Sequence, residues 1–506
     1  MQRCPSARLL LPLLLLCLVI APAAAAATLP APKLTGAMPE ATLDTQLDAA
    51  WEAARRGDSV GVQALLQRVL HDPRLARSSN ALQGQAAGLA AWLAIEEGRT
   101  EDALRLLQQA QDFSPDLTFP LDIRVLAFAR ADRPVESARA VREALAMTAD
   151  EAGTRFSPAL VRYLTQALRD NDAALQPLLL ALFEARWTEN QQDPQQLWVW
   201  LTELQVESGH ADALQRTVAR IDQPEPLLYL DIDRRFDAAM AARTDPLSVE
   251  AALARHVDRL RDAAQAHPAD LPHVQPLVSA LLLAGDHPGV LEASAAWATA
   301  TPEDYLYDPE ATDLVAWMLN TRAEAQRRLG QTEAALATLR RAMSFGVGGQ
   351  PAVSQQLNLA LWLADAQQPA QALALLADLK GASPYGESVA DLVRVIAYQQ
   401  LHDAQGVARA TAAIAGRTGN DRQQYLHAML AQGRLEEAAN DLIARLRDPQ
   451  TRQACLREVQ QYGQIPLWPL AAERHARLLQ VLQRDDVQAA IEDVGVRRRY
   501  ALFPFE

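Results

Sequence analysis

Only three cysteines occur in the 506 residues, and two of them, Cys4 and Cys17, fall in a stretch that reads as a removable leader. Without it Cys455 is the single thiol, so no intramolecular disulfide can form, and a small apolar residue on a helix is its expected role. Lysine is nearly missing: apart from Lys33 and Lys380, every basic residue other than histidine is arginine. Aromatic residues make up 5% of the chain, a thin supply for the ring platforms that sugar binding uses. No Gly-x-Ser-x-Gly elbow, phosphate-cradling Gly-x-x-x-x-Gly-Lys or His-Glu-x-x-His helix is present. No enzyme activity, cofactor or metal is therefore expected. Positive charge is short as well. Setting aside Arg3 and Arg8 leaves 46 basic against 62 acidic residues, a net −16, and the one tight basic cluster is Arg497–Arg499. Nucleic acid is excluded as an expected partner, because a phosphate backbone rewards clustered positive charge.

What is present begins with Arg3 and Arg8, the apolar run Leu9–Ile20 and the alanines Ala23–Ala27. This is the pattern of a secretory signal peptide, residues 1–27, cut near Ala27. Twelve apolar residues fall short of the roughly 20 that span a bilayer, and Leu14, Leu15 and Leu16 ahead of Cys17 lack the small residue of a lipid-attachment site. No later stretch reaches spanning length, and no series of alternating ten-residue strands suggests a membrane barrel. Arginine over lysine, with abundant alanine and leucine, suggests a GC-rich bacterial genome, which makes the expected compartment the periplasm. Residues 28–41, with Pro30, Pro32, Gly36 and Pro39, read as a flexible tether.

From Thr42 onward apolar residues recur at three- and four-residue spacing and β-branched alternating runs are missing, so the class is all-α. The clearest register runs from Gly84 to Pro115. A helix over Gln85–Glu97 packs through Ala87, Ala90, Ala91 and Ala94; Gly98 turns the chain; a second helix over Glu101–Gln111 carries Ala103, Leu104, Leu107 and Ala110, and Pro115 stops it. The same register gives Leu319, Ala323, Gly330, Ala335, Leu339 and Ala342, then Leu359, Ala360, Ala372, Leu376 and Pro384 with Gln367 at the turn, then Tyr425, Gly433, Ala438, Leu442 and Pro449. A weaker copy gives Trp198, Leu201, Gly209, Leu214 and Pro226, and further turns are expected at Gly57, Asp132, Asn171, Gly285 and His402–Asp403.

The pattern resembles the tetratricopeptide repeat family, with helix-turn-helix units of about 34 residues. The resemblance implies a right-handed superhelical solenoid of antiparallel helix pairs: repeats over 42–222, an irregular connector over 223–284, repeats over 285–447, and a helical cap with an aromatic tail over 448–506. It implies that the first helices line a concave groove, so the binding candidates are Trp92, Ile95, Asn320, Glu324, Arg327, Leu357, Leu361, Gln423 and His427. The expected function is a periplasmic scaffold that holds a protein or peptide partner during envelope assembly or secretion. The alternative is an accessory to polysaccharide export or wall-glycan binding.

Other constellations carry less. His267 and His273 with Asp270 sit in a proline-broken segment that matches no compact zinc spacing. Asp231, Asp233 and Asp237 lack the glycine and closing glutamate of a calcium loop, so a charged helix face is expected. Exported lytic transglycosylases resemble the chain in having a long superhelical helical domain, but the pair Glu207–Ser208 precedes a repeat turn and no glycine-rich Met-Gln segment follows. Glu96–Glu97 and Glu436–Glu437 lie beside turns, where the dipole of the following helix favours them. Trp198 and Trp200 are expected in the core. The tail is expected to cover the last apolar face, with a docking peptide as the alternative.

Overall fold

The computed structural model describes residues 42–114, 119–147, 155–189, 192–245, 247–305, 308–346 and 350–504. The leader, the tether and Pro115 lie outside them. All regular structure among the described residues is helical, apart from three isolated β-bridges.

Two compact units meet within a helix at Thr217 and Val218. The first unit contains α1 (Leu43–Arg55), α2 (Ser59–His71), α3 (Asn80–Glu96), α4 (Thr100–Phe113), α5 (Phe119–Arg130), α6 (Pro134–Met147), α7 (Pro158–Ala167), α8 (Asp172–Glu184), α9 (Gln195–Glu207) and most of α10 (Ala211–Ala219). α1 pairs with α2, α3 with α4 and α5 with α6, α6 also packs on α7 and α8, α8 packs on α9, and α3 packs on α1 and α5 as well. Covered on several sides, α3 is apolar nearly all round, with Ala86, Ala87, Leu89, Ala91, Ala94 and Ile95 buried. Alanine at Ala91 and Ala94, facing Ala103 and Leu107 of α4 in one cluster, lets the two helices approach closely.

The second unit contains α11 (Pro224–Ile232), α12 (Asp237–Ala241), α13 (Val249–Ala266), α14 (Leu271–Leu283), α15 (His287–Ala293), α16 (Pro309–Arg328), α17 (Thr332–Ser344), α18 (Val353–Asp365), α19 (Pro369–Ala377), α20 (Pro384–Gln400), α21 (Ala404–Ala415), α22 (Gln424–Ala431), α23 (Leu435–Arg447), α24 (Arg452–Glu458), α25 (Pro469–Leu482) and α26 (Asp485–Val494). From α14 to α23 the helices form hairpins, and the first helices α14, α16, α18, α20 and α22 each touch the next in line. Within the segment read as an irregular helical connector, α13 lies on both α11 and α14.

The turns follow one local rule. Gly57, Gly98, Gly209, Gly285, Gly330 and Gly433 all take a left-handed φ between 71° and 78°, and Asp132, Gln367 and His402 adopt the same conformation without glycine's freedom. Asn171 differs: it stays at negative φ and caps α8 with its side chain. A Cβ at Gly330 would meet nothing within 4 Å, so the cost of Gly330→Ala lies in the backbone alone. It is expected to destabilise by roughly 1 kcal/mol, read as a lower urea midpoint at unchanged m-value.

Candidate functional site

A helix ends with carbonyls that have no partner in the next turn. In the second unit residues 459–504 reach the ends of α11, α14, α16, α18 and α22. Val496 N–H donates to Ile232 O, at the end of α11, over 3.0 Å, and Phe503 N–H to Leu283 O, at the end of α14, over 2.8 Å. Arg477 of α25 donates to Leu430 O and Ala431 O at the end of α22, each at 2.7 Å. Arg474 of α25 pairs with Asp365 at the end of α18, one of its two contacts being 2.8 Å. Cations at helix C-termini also complement the dipole.

Between α24 and α25 the chain is extended, and residues 496–502 run parallel beside it. Gln461 N–H donates to Arg498 O, Tyr500 N–H to Gln461 O and Gly463 N–H to Leu502 O, at 2.8–3.0 Å. Tyr500 and Leu502 are buried. The Tyr500 hydroxyl donates to Asp231 Oδ2 at 2.6 Å, and burial together with that carboxylate pushes its pKa well up. The Phe503 ring lies over Gly285 and Gly463, where a Cβ would come within 2.6 Å and 2.2 Å of it, and His287 meets it edge-on.

The end of α16 carries the charge. The Glu324, Arg327 and Arg328 side chains are 4%, 4% and 0% exposed, and Glu324 accepts from both arginines. Main-chain carbonyls accept from the same guanidiniums: Arg327 donates to Pro466 O, and Arg328 to Phe503 O and Pro504 O at 2.8 and 2.6 Å. Trp362 stands beside this group, with Trp468 at 6.1 Å and the Arg327 guanidinium at 5.6 Å from its ring.

Burial pushes the Glu324 carboxyl up, but its bonds to Arg327 and the charge of both arginines outweigh this and hold it below its ordinary 4.5. Burial, then the Arg328 charge, holds His287 below its ordinary 6.5. A lowered folded-state value means the unfolded chain binds more protons, so both groups destabilise the fold on acidification. The His287 contribution is full above pH 6.5 and is lost as pH falls from there through the lowered folded value; that of Glu324 is full above pH 4.5 and is lost below it in the same way. Thermal midpoints are expected to fall between about pH 7 and about pH 5, and His287→Gln to flatten that fall.

The binding candidates separate on burial. Ile95 and Leu357, read from the sequence as groove-facing, are core residues at 2% and 4% exposure. Half-buried Trp92 packs against two apolar clusters of the first unit. Buried Asn320 accepts from Asn358 Nδ2 at 2.9 Å, which occupies it between α16 and α18. Glu324 and Arg327 belong to the helix ends just described, enclosed rather than open to a groove. Leu361 and Gln423 are half-buried, and His427 Nε2 sits 3.0 Å from Glu458 Oε1. The structure therefore brings Glu324 and Arg327 into one site and scatters the others.

Sequence reading missed Asp231, Asp233, Arg328 and Gly463. Asp233, expected on a charged face, is fully buried: it accepts from Arg235 and Gln453, while Asp237 is exposed. Arg328 and Asp233 have near partners in Glu324 and Arg235, but contacts such as Tyr500 on Asp231 reach up to 269 positions and leave no local mark. His267 and His273 do stack, with ring centroids 4.5 Å apart, and His273 pairs with Asp270; among the described residues no group of three potential ligands could hold a metal. No helix among them is long and apolar enough to cross a membrane. No protein-family model matches the chain, and no curated protein matches it either.

Proposed function

We propose that this is a non-catalytic, exported scaffold of tetratricopeptide-like helix pairs that holds an extended peptide or partner protein, in the periplasm, in envelope assembly or secretion. One observation carries the reading: the ends of α14 and α16 already hold non-helical polypeptide through its main chain, at Pro466 O in the link between α24 and α25 and at Phe503 O, Pro504 O and Phe503 N–H in the tail. Main-chain capture along an array of helix ends suits a protein ligand, because any extended chain offers the same carbonyls and amides. Glycan binding is the weaker reading, since the large rings Trp187, Trp198 and Phe236 are fully buried and, of the aromatic residues, only Trp317 and Tyr385 stand among the exposed large apolar residues described.

The test is capture from bacterial envelope extracts by the chain without residues 1–27, run beside purified wall glycan. Specific retention of a protein supports the scaffold; retention on glycan with no protein retained sinks it.

A further inference from the structure

We infer that residues 496–504 lock the front of the second unit: α11 is seated only when the last residues of the chain have been made. Until then the unit can be drawn out helix by helix, and afterwards it resists. The use of such a lock, to leave an exported chain able to thread a membrane pore until synthesis ends, rests on the exported reading; the lock itself does not.

α11 buries Pro224, Pro226, Leu227, Leu228, Leu230 and Ile232, and much of its cover comes from the far end of the chain. α24 packs on it. Leu502 completes an apolar recess with Pro224, Leu228 and Leu283, and Gly495 lies so close that a Cβ there would come within 2.3 Å of Ile232 O. Polar groups are served from the same place. Ile232 O accepts from Val496 N–H over 3.0 Å, Asp231 from the Tyr500 hydroxyl over 2.6 Å, and fully buried Asp233 from Gln453 over 2.6 Å. Ala501 N–H reaches Glu250 of α13 at 3.2 Å, and Phe503 N–H the end of α14 at 2.8 Å. A buried group stripped of its hydrogen-bond partner is costly, and without residues 496–504 α11 and α14 lose partners together.

Elsewhere the packing is local. In the first unit the main contacts join helices no more than two apart, and from α14 to α23 each hairpin meets its neighbour. Arrays held only by neighbours unravel repeat by repeat, and helical folds rich in local contacts form on the order of microseconds to milliseconds. The lock cannot form so soon: Tyr500 follows Asp231 by 269 positions, which takes roughly 13–54 s to make at about 5–20 residues per second. Through that interval the front of the unit is an open end. An exported chain enters its membrane pore from the signal-bearing N-terminal side, so α11, α13 and α14 peel away in turn. Once locked, α11 cannot leave without breaking its contacts with residues 495–502 as well.

Trypsin reads the lock at Arg234, Arg235 and Arg243, between α11 and α13. The chain without residues 1–27 is compared with the same chain ending at Gly495 and with Leu502→Asp, and helical circular dichroism follows the fold of each. Cuts at those arginines are expected about 100-fold faster in both variants, because proteolysis tracks the open population, while cuts within residues 42–213 keep their rate. Arg499→Ala, whose exposed side chain contacts Gln461, is expected to be cut as the intact chain is. Nascent chains of unaltered sequence, stalled with residues 496–504 inside the ribosome, are expected to be cut as fast as the shortened chain and to gain resistance on release. Resistance at the three arginines in the shortened or the stalled chain overturns the proposal, as does an equal loss across the first unit or an Arg499→Ala chain cut as fast as the shortened one. If the lock holds and the chain carrying residues 1–27 is found in the bacterial cytoplasm, the lock stands and the exported reading falls. If the chain is exported yet closes without its tail, the exported reading stands and the lock falls.

Discussion

Replacing Glu324 with alanine is expected to cost about 3–5 kcal/mol of the second unit's stability, the loss found when one partner of a buried ionic group is removed. The carboxylate accepts from two guanidiniums that are themselves at most 4% exposed. Without it, two buried guanidiniums lose the carboxylate they share in a low-dielectric interior. Urea unfolding followed by circular dichroism reads the loss. Arg99→Gln serves as the contrast, because Arg99 and its partners Glu97 and Asp102 lie at the surface, where ion pairs add little. A midpoint that moves equally little for Glu324→Ala would show that the charged group is not the anchor inferred here. Converting Glu324, Arg327 and Arg328 together to apolar residues of similar volume should recover much of the stability while leaving Phe503 and Pro504 without their donors.

The second large effect is expected in the first unit. Trp198 is fully buried and meets Phe183 edge-on, with ring centroids 5.2 Å apart at 87°, so Trp198→Ala should cost about 3–5 kcal/mol, as other large-to-small changes at buried aromatics do. Half-buried Trp200, two positions along α9, should cost clearly less when changed to alanine. Thermal melts of the two variants decide between core and ligand platform: a Trp198 variant of unchanged stability that loses partner binding would move this residue from the core to a binding surface.

How far the sequence could be read depended on the range of the forces involved. The helix pair around Gly98 was legible in outline: Ala87, Ala91, Ala94, Ala103, Leu107 and Ala110 are buried and Gly98 turns the chain at φ 75°, whereas Ala90 and Leu104 are half-buried and the first helix begins at Asn80 rather than Gln85. Even Gln367, a departure from glycine, turns as its place in the register requires, at φ 61°. The binding candidates were less legible. Choosing Ile95 and Leu357 presumed that a helix has one open face, whereas α3 and α18 are packed on several sides. The tail had been read as a cover for a terminal apolar face, with a docking peptide as the alternative. In the structure α24 and α26 do lie on α23, while residues 496–504 turn back to the ends of α11, α14 and α16.

What the sequence by itself determined is therefore the all-helical class and the placing of the turns, since both follow from spacing within three or four residues and from the left-handed φ that glycine adopts without strain. Tertiary structure alone decided that Glu324, Arg327 and Arg328 face Pro466, Phe503 and Pro504, and that Asp231 meets Tyr500. Those contacts join hydrogen-bonding groups 139 to 269 positions apart, and what brings them together is the need of buried helix-end carbonyls and charges for partners, a demand that leaves no periodic mark in the order of residues.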